Sequence, residues 1–243
     1  MPGTHQQQNL LPIRDEFKSL LESQWTRHVA CQNECRPPES CSCQRKIVHV
    51  HAVEAWWRKQ TSERSNNTKL DRFVHEMQPL PHRTLPVQPT KISRGKKSCL
   101  RILSLLLNQG REQLITHFYE ASMYDDYLAR SENDRNLREQ LAGYVRRDEV
   151  ETIIGDFHTQ KWRYCPLTLT LDMDENLHGT KVIPPFCLKT KLPDKGGTAS
   201  IYWVAVQKDL ISDNALALAL KDSIYTDEDF GEVSFLTTLV NIS

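Results

Sequence analysis

The sequence predicts an α+β chain: a mainly helical N-terminal region, then an incomplete antiparallel sheet, then the start of one more helix. Three observations carry that expectation. Apolar residues recur at helical spacing through residues 12–128. After Gly155 the period shortens to two, with Leu167, Leu169 and Leu171 on one side of an extended run. Ile201–Val206 is β-branched and aromatic, the composition of a strand.

The elements follow in order. Pro12 opens the first helix, since proline at the first helical position gives up an amide that lacks a partner anyway. Ile13, Phe17, Leu20, Leu21 and Trp25 recur at helical intervals behind it. A cysteine- and proline-containing turn spans 31–43, and Val53, Trp56 and Trp57 mark a second helix. These make one region, residues 1–60. Residues 61–97 are rich in Asn, Ser, Arg and Lys and carry Pro79, Pro81, Pro86 and Pro89, which reads as an extended linker. A second helical region takes residues 98–160. Leu100, Leu103 and Leu107 share one helical face, and Asn108-Gln109-Gly110 stops that helix, because glycine accepts the left-handed conformation past a helix end. Leu114, Ile115 and Phe118 form a second helix, antiparallel to the first. Residues 130–147 read as a solvated helix and 149–157 as a short one. Strands fill the region 161–243, at 164–171, 201–206 and 216–220.

Composition narrows the function classes. The 243 residues hold 31 basic and 31 acidic side chains, so no global field attracts nucleic acid or anionic lipid. Met1–Asn9 lacks the apolar core of a signal peptide, and Cys99–Leu107 is too short to cross a bilayer. The expectation is an intracellular protein, cytoplasmic or nuclear, that binds neither membrane nor nucleic acid. Its seven cysteines are then reduced thiols. Cys31, Cys35, Cys41 and Cys43 are the zinc candidates, but their C-x3-C-x5-C-x-C spacing matches no common finger. A thiol-rich loop without metal is the simpler reading.

The chemistry-bearing pattern lies late in the chain. Leu192–Val204 reads LPDKGGTASIYWV, a glycine-containing connection entering an apolar strand. Ala219-Leu220-Lys221 follows. Thr226-Asp227-Glu228-Asp229 then offers a helix start, with Phe230, Val233, Leu236 and Val240 as its apolar stripe. This order resembles the N-terminal lobe of the protein kinase superfamily: glycine-rich loop, Ala-x-Lys strand and helix αC with E-x-x-x-L at Glu232–Leu236. Lys161-Trp162-Arg163-Tyr164-Cys165-Pro166 and Ile183-Pro184-Pro185-Phe186 are similar to the lead-in of fungal kinase-like proteins.

The resemblance implies a nucleotide site for ATP. Gly196, Gly197 and Ile201 would supply the loop and one wall of the adenine pocket. Ala219 would touch the base, and Lys221 would hold the α- and β-phosphates. Glu232 would pair with Lys221, with Glu228 as the alternative. The loop is degenerate: Asp194 and Ala199 stand where the family has its first and third glycines. No His-Arg-Asp catalytic loop follows Lys221, and magnesium is not expected, its binding motif being taken as missing as well. The expected function is a truncated kinase-like protein with a partial ATP-binding lobe, not competent for phosphoryl transfer as this chain. The alternatives are a helical interaction module, binding a protein partner through residues 98–128, and a small zinc module.

Overall fold

The computed structural model describes residues 4–28, 30–31, 46–61, 66–77, 88–93, 95–129, 134–169, 186–191, 200–207, 210–211, 224–227 and 231–240. It divides into two units. One comprises Met1–Trp25 and His49–Tyr164, the other Thr26–Val48 and Cys165–Ser243.

The first unit is helical. Its helices are α1 (Thr4–Leu20), α2 (Val50–Arg58), α3 (Lys69–Glu76), α4 (Pro89–Ser93), α5 (Leu100–Asn108), α6 (Ile115–Glu120), α7 (Arg135–Ala142) and α8 (Arg147–Gln160). Helix α5 is the axis of the unit. Leu100, Ile102, Leu103, Leu105, Leu106 and Leu107 are all fully buried, and α5 touches α2, α6 and α8. On one side Phe17, Trp25, Trp56, Trp57 and Phe73 form an aromatic cluster with ring centroids 4.8–6.0 Å apart. Edge and tilted contacts of this kind add to the burial of large apolar area. Elsewhere in the unit Phe118 packs on Phe157 at 5.0 Å.

Several polar groups inside this unit are answered from distant parts of the chain. The buried Trp57 indole donates to Ser104 Oγ at 2.8 Å, and Ser104 in turn donates to the Leu100 carbonyl at 2.6 Å. Asp125 caps α5: its carboxylate accepts from Ser98 Oγ (2.7 Å) and from the amides of Arg101 (3.0 Å) and Ile102 (3.1 Å). Amides in the first turn of a helix have no partner within the helix, so a carboxylate there meets an open need. Burial outweighs these bonds at Asp125 and holds its carboxyl above the usual range. Glu54 accepts from Arg101 at 2.8 Å, and Arg14 pairs with the buried Glu112.

Three expectations change here. Pro12 lies inside α1 rather than opening it. The 61–97 linker is interrupted by α3 and α4. Thr68 and Asp71 build a reciprocal capping box at the start of α3, and Leu70, Phe73 and Val74 are buried. The extended run expected at 164–171 begins as a 3₁₀ turn, Lys161–Tyr164, and its only strand-like pairing among the described residues is a bridge from Leu169 to Ile211.

The second unit is built on strands. Strands β1 (Thr26–His28) and β3 (Lys46–Val48) pair antiparallel. A separate five-stranded sheet contains β2 (Ala30–Cys31), β4 (Phe186–Lys191), β5 (Ser200–Gln207), β6 (Ile224–Asp227) and β7 (Gly231–Val240) in the order β2-β4-β5-β7-β6. The β2–β4 pair is parallel and the others are antiparallel. Ala205, Val206 and Leu210 are buried. The α+β expectation thus holds at the level of a helical unit and a mainly antiparallel sheet.

Candidate functional site

The glycine-containing connection joins two neighbouring antiparallel strands. Lys191 at the end of β4 stands opposite Tyr202 of β5, and pairing continues to Phe186 opposite Val206. Ile201 lies on β5, flanked across the sheet by Leu239 of β7. Gly196 and Gly197 fall in the 192–199 connection, and Ala219 and Lys221 in 212–223; both segments lie outside the described residues. The structure therefore brings together the two arms of the hairpin and places Ile201 on one of them.

The helix expected over 226–240 is replaced by a hairpin. Thr226 and Asp227 end β6, and Glu232 lies on β7 directly opposite Thr226. Glu232 is accordingly no helix αC residue, and its assignment as the lysine's partner on such a helix is withdrawn. Glu228 lies outside the described residues. The reason is legible afterwards. Val233, Phe235, Thr237 and Leu239 alternate along β7 as well as Phe230, Val233, Leu236 and Val240 fit a helix, and β-branched residues favour the extended form. Strand β7 is paired to β5 along its whole length, Gly231 excepted and Glu232 excepted, which supplies the ladder that an isolated helix would forgo.

A second correction concerns the magnesium motif. The triplet Asp229-Phe230-Gly231 does occur after Lys221. It sits where β6 turns into β7, with Asp227 and Gly231 as register partners, and no His-Arg-Asp loop precedes it. A three-residue connection closed by glycine is the chemistry of a hairpin turn. Of the zinc candidates, Cys31 lies on β2 opposite Lys189, while Cys35, Cys41 and Cys43 lie outside the described residues. Among the described residues no group of three or more His, Cys, Asp or Glu is disposed to hold a metal.

The 98–128 stretch cannot offer α5 to a partner, because every leucine and isoleucine of that helix is buried within its own unit. What this stretch does present is one turn, Glu112–Leu114, which forms a wall of an open groove of about 350 Å³. Arg111, Leu114, Tyr144, Val145, Glu149 and Ile153 line it. Gly143 and Tyr144 form the turn after α7, and α8 then starts under the Arg146–Glu149 capping interaction. Tyr144 is 47% exposed, the large apolar side chain most open to solvent among the described residues. Its ring lies 4.5 Å from that of His117. Burial lowers the His117 pKa, against the opposing charge of Glu120, which favours the neutral imidazole at pH 7. Nothing in the local periodicity signalled this groove; the exposed tyrosine beside a glycine was its one visible trace.

A buried polar cluster lies at the far end of α8. His158 Nε2 meets both carboxylate oxygens of Asp134 at 2.8 and 2.9 Å, and the Tyr127 hydroxyl donates to Asp134 Oδ1 at 2.9 Å. The fully buried Lys161 holds its amine 5.3 Å from the Tyr127 ring centre and 4.8 Å from that of Trp162. These contacts join the Asp125–Ala129 turn, the start of α7 and the end of α8. They form a structural junction.

No family model, curated protein or solved structure matches this chain. Among the described residues no helix is long and apolar enough to cross a membrane.

Proposed function

We propose that this chain carries a partial, degenerate kinase-like lobe that binds nucleotide. The observation that supports the reading is the β4–β5 hairpin, whose glycine-containing connection leads straight into Ile201 on β5. Backbone amides in such a loop approach phosphates where no Cβ intervenes. Gly196, Gly197 and Lys221 are assigned to the phosphates, and Ile201 and Ala219 to the base. ATP is the proposed ligand, and magnesium is given no essential part.

Titration of the full chain with a fluorescent ATP analogue tests the assignment. Lys221→Met and Gly197→Val are each expected to weaken binding about tenfold or more, equivalent to about 1.4 kcal/mol. Binding indifferent to both substitutions, or no binding at all, removes the nucleotide reading. A second reading, a helical interaction module, is favoured by the open groove beside Tyr144. It does not require nucleotide.

A further inference from the structure

We infer that the groove between the Glu112–Leu114 turn and α8 takes a short peptide segment bearing an aliphatic side chain followed by arginine or lysine. The inference rests on the second reading above and is independent of nucleotide binding.

The size of the groove sets the kind of occupant. About 350 Å³ lies at the low end of ligand pockets. It admits one large side chain with its flanking backbone rather than the face of a folded domain. Leu114 and Ile153, themselves almost wholly buried, give it an apolar floor. An aliphatic side chain laid on that floor leaves water without ordering any new protein segment.

Charge selects the neighbour of that side chain. Asp148 and Glu149 stand in the lining and are open to solvent. The cation of the lining, Arg111, is engaged by Asp156 at 2.8 Å. What covers the two acids is Arg146, at 3.6 Å from Asp148 and 3.1 Å from Glu149, with its side chain 75% exposed. Solvated pairs of this kind contribute little, so an incoming guanidinium can share or replace that contact at small cost. The Tyr144 ring adds a platform on which a guanidinium stacks, its other neighbour being His117. A phosphate or an acidic peptide would meet two carboxylates there instead.

The test uses the full chain and two blocked, fluorescein-labelled hexapeptides, Gly-Ser-Leu-Arg-Ser-Gly and Gly-Ser-Leu-Glu-Ser-Gly, read by fluorescence anisotropy. The Leu-Arg peptide is expected to bind about tenfold tighter than the Leu-Glu peptide. Glu149→Lys should abolish or reverse that preference, and Tyr144→Ala should weaken the Leu-Arg peptide about tenfold. Tyr144 is solvent-exposed, Glu149 also caps α8, and circular dichroism checks that each variant keeps its helices; Asp148→Lys, which leaves that cap in place, should weaken the preference in the same direction. Equal affinity for the two peptides overturns the inference, as does an unchanged preference in Glu149→Lys or a failure of both peptides to bind. Because neither peptide resembles a nucleotide, these outcomes leave the ATP titration unaffected.

Discussion

Among the described residues, side-chain ties stand out in the helical unit and backbone ladders in the sheet unit. In the helical unit side chains supply many of the described long-range ties, beside backbone bonds such as Asp125 N–H to the Ser98 carbonyl at 2.7 Å. Trp57 reaches Ser104, Glu54 reaches Arg101, and Asp125 caps α5. In the sheet unit the long-range ties are backbone ladders, including a short parallel pairing of β2 with β4 across more than 150 residues of chain. Strands consecutive in sequence are not always neighbours there, since β7 lies between β5 and β6. The difference teaches where each unit is vulnerable. Truncating one buried side chain should loosen the helical unit, and removing a paired backbone amide should loosen the sheet.

The largest expected effect breaks the comparison at its strongest tie. Trp57→Ala removes a fully buried indole and leaves Ser104 with one bond fewer. A loss of about 3–5 kcal/mol is expected, read as a lowered urea midpoint of the helical signal. Next comes the backbone counterpart. Val233 of β7 has Gln207 on one side and Tyr225 on the other. Proline there should cost about 3 kcal/mol or more and expose β5 and β7 amides to hydrogen exchange. The hairpin itself can be trapped with Thr226→Cys and Glu232→Cys. Opposed strand positions oxidise to a disulfide, while a helix would hold the two residues about 9 Å apart along its axis. Failure of that bond to form in mass spectrometry would restore the helix and return Glu232 to it.

Smaller effects sharpen the same contrast. At Glu54, burial pushes the carboxyl upward, but hydrogen bonds and charge from Arg101 and Arg58 more than offset it and hold the pKa below the ordinary 4.5. A depressed carboxylate contributes stability above its unfolded value and loses it as pH falls through its folded one. Acid titration should therefore destabilise the helical unit below about pH 4.5, and Glu54→Gln should flatten that part of the curve while costing roughly 1 kcal/mol at pH 7. Arg135→Ala, which removes an exposed pair with Glu139, should change stability by less than about 0.5 kcal/mol.

Much of the helical unit could be read in advance. Val53, Trp56 and Trp57 fall in α2, and Gly110 ends α5 with φ +70°, the left-handed conformation its position called for. The capping box at Thr68 and Asp71 was also written in the chain, but the surrounding polar residues and prolines drew the stretch into a linker. The groove was not legible, because Leu114 and Ile153 meet only through the packing of α8. Of the proposed nucleotide site, the hairpin and the strand at Ile201 were legible, and the final segment was not. Residues 226–240 satisfy a period near 3.6 and a period of two, and nothing local chooses between them.

By itself, then, the sequence determined α2, the body of α5 and its stop at Gly110, and the strand at Ile201. Each helical hydrogen bond closes within four residues, so the deciding neighbours are already adjacent in the chain. Only the tertiary structure decided that β7 lies beside β5, that Ser104 and Asp125 find partners far away, and that Tyr144 borders a groove. A strand's partner and a buried polar group's partner can come from any distance along the chain, and their identity exists only once the chain has folded.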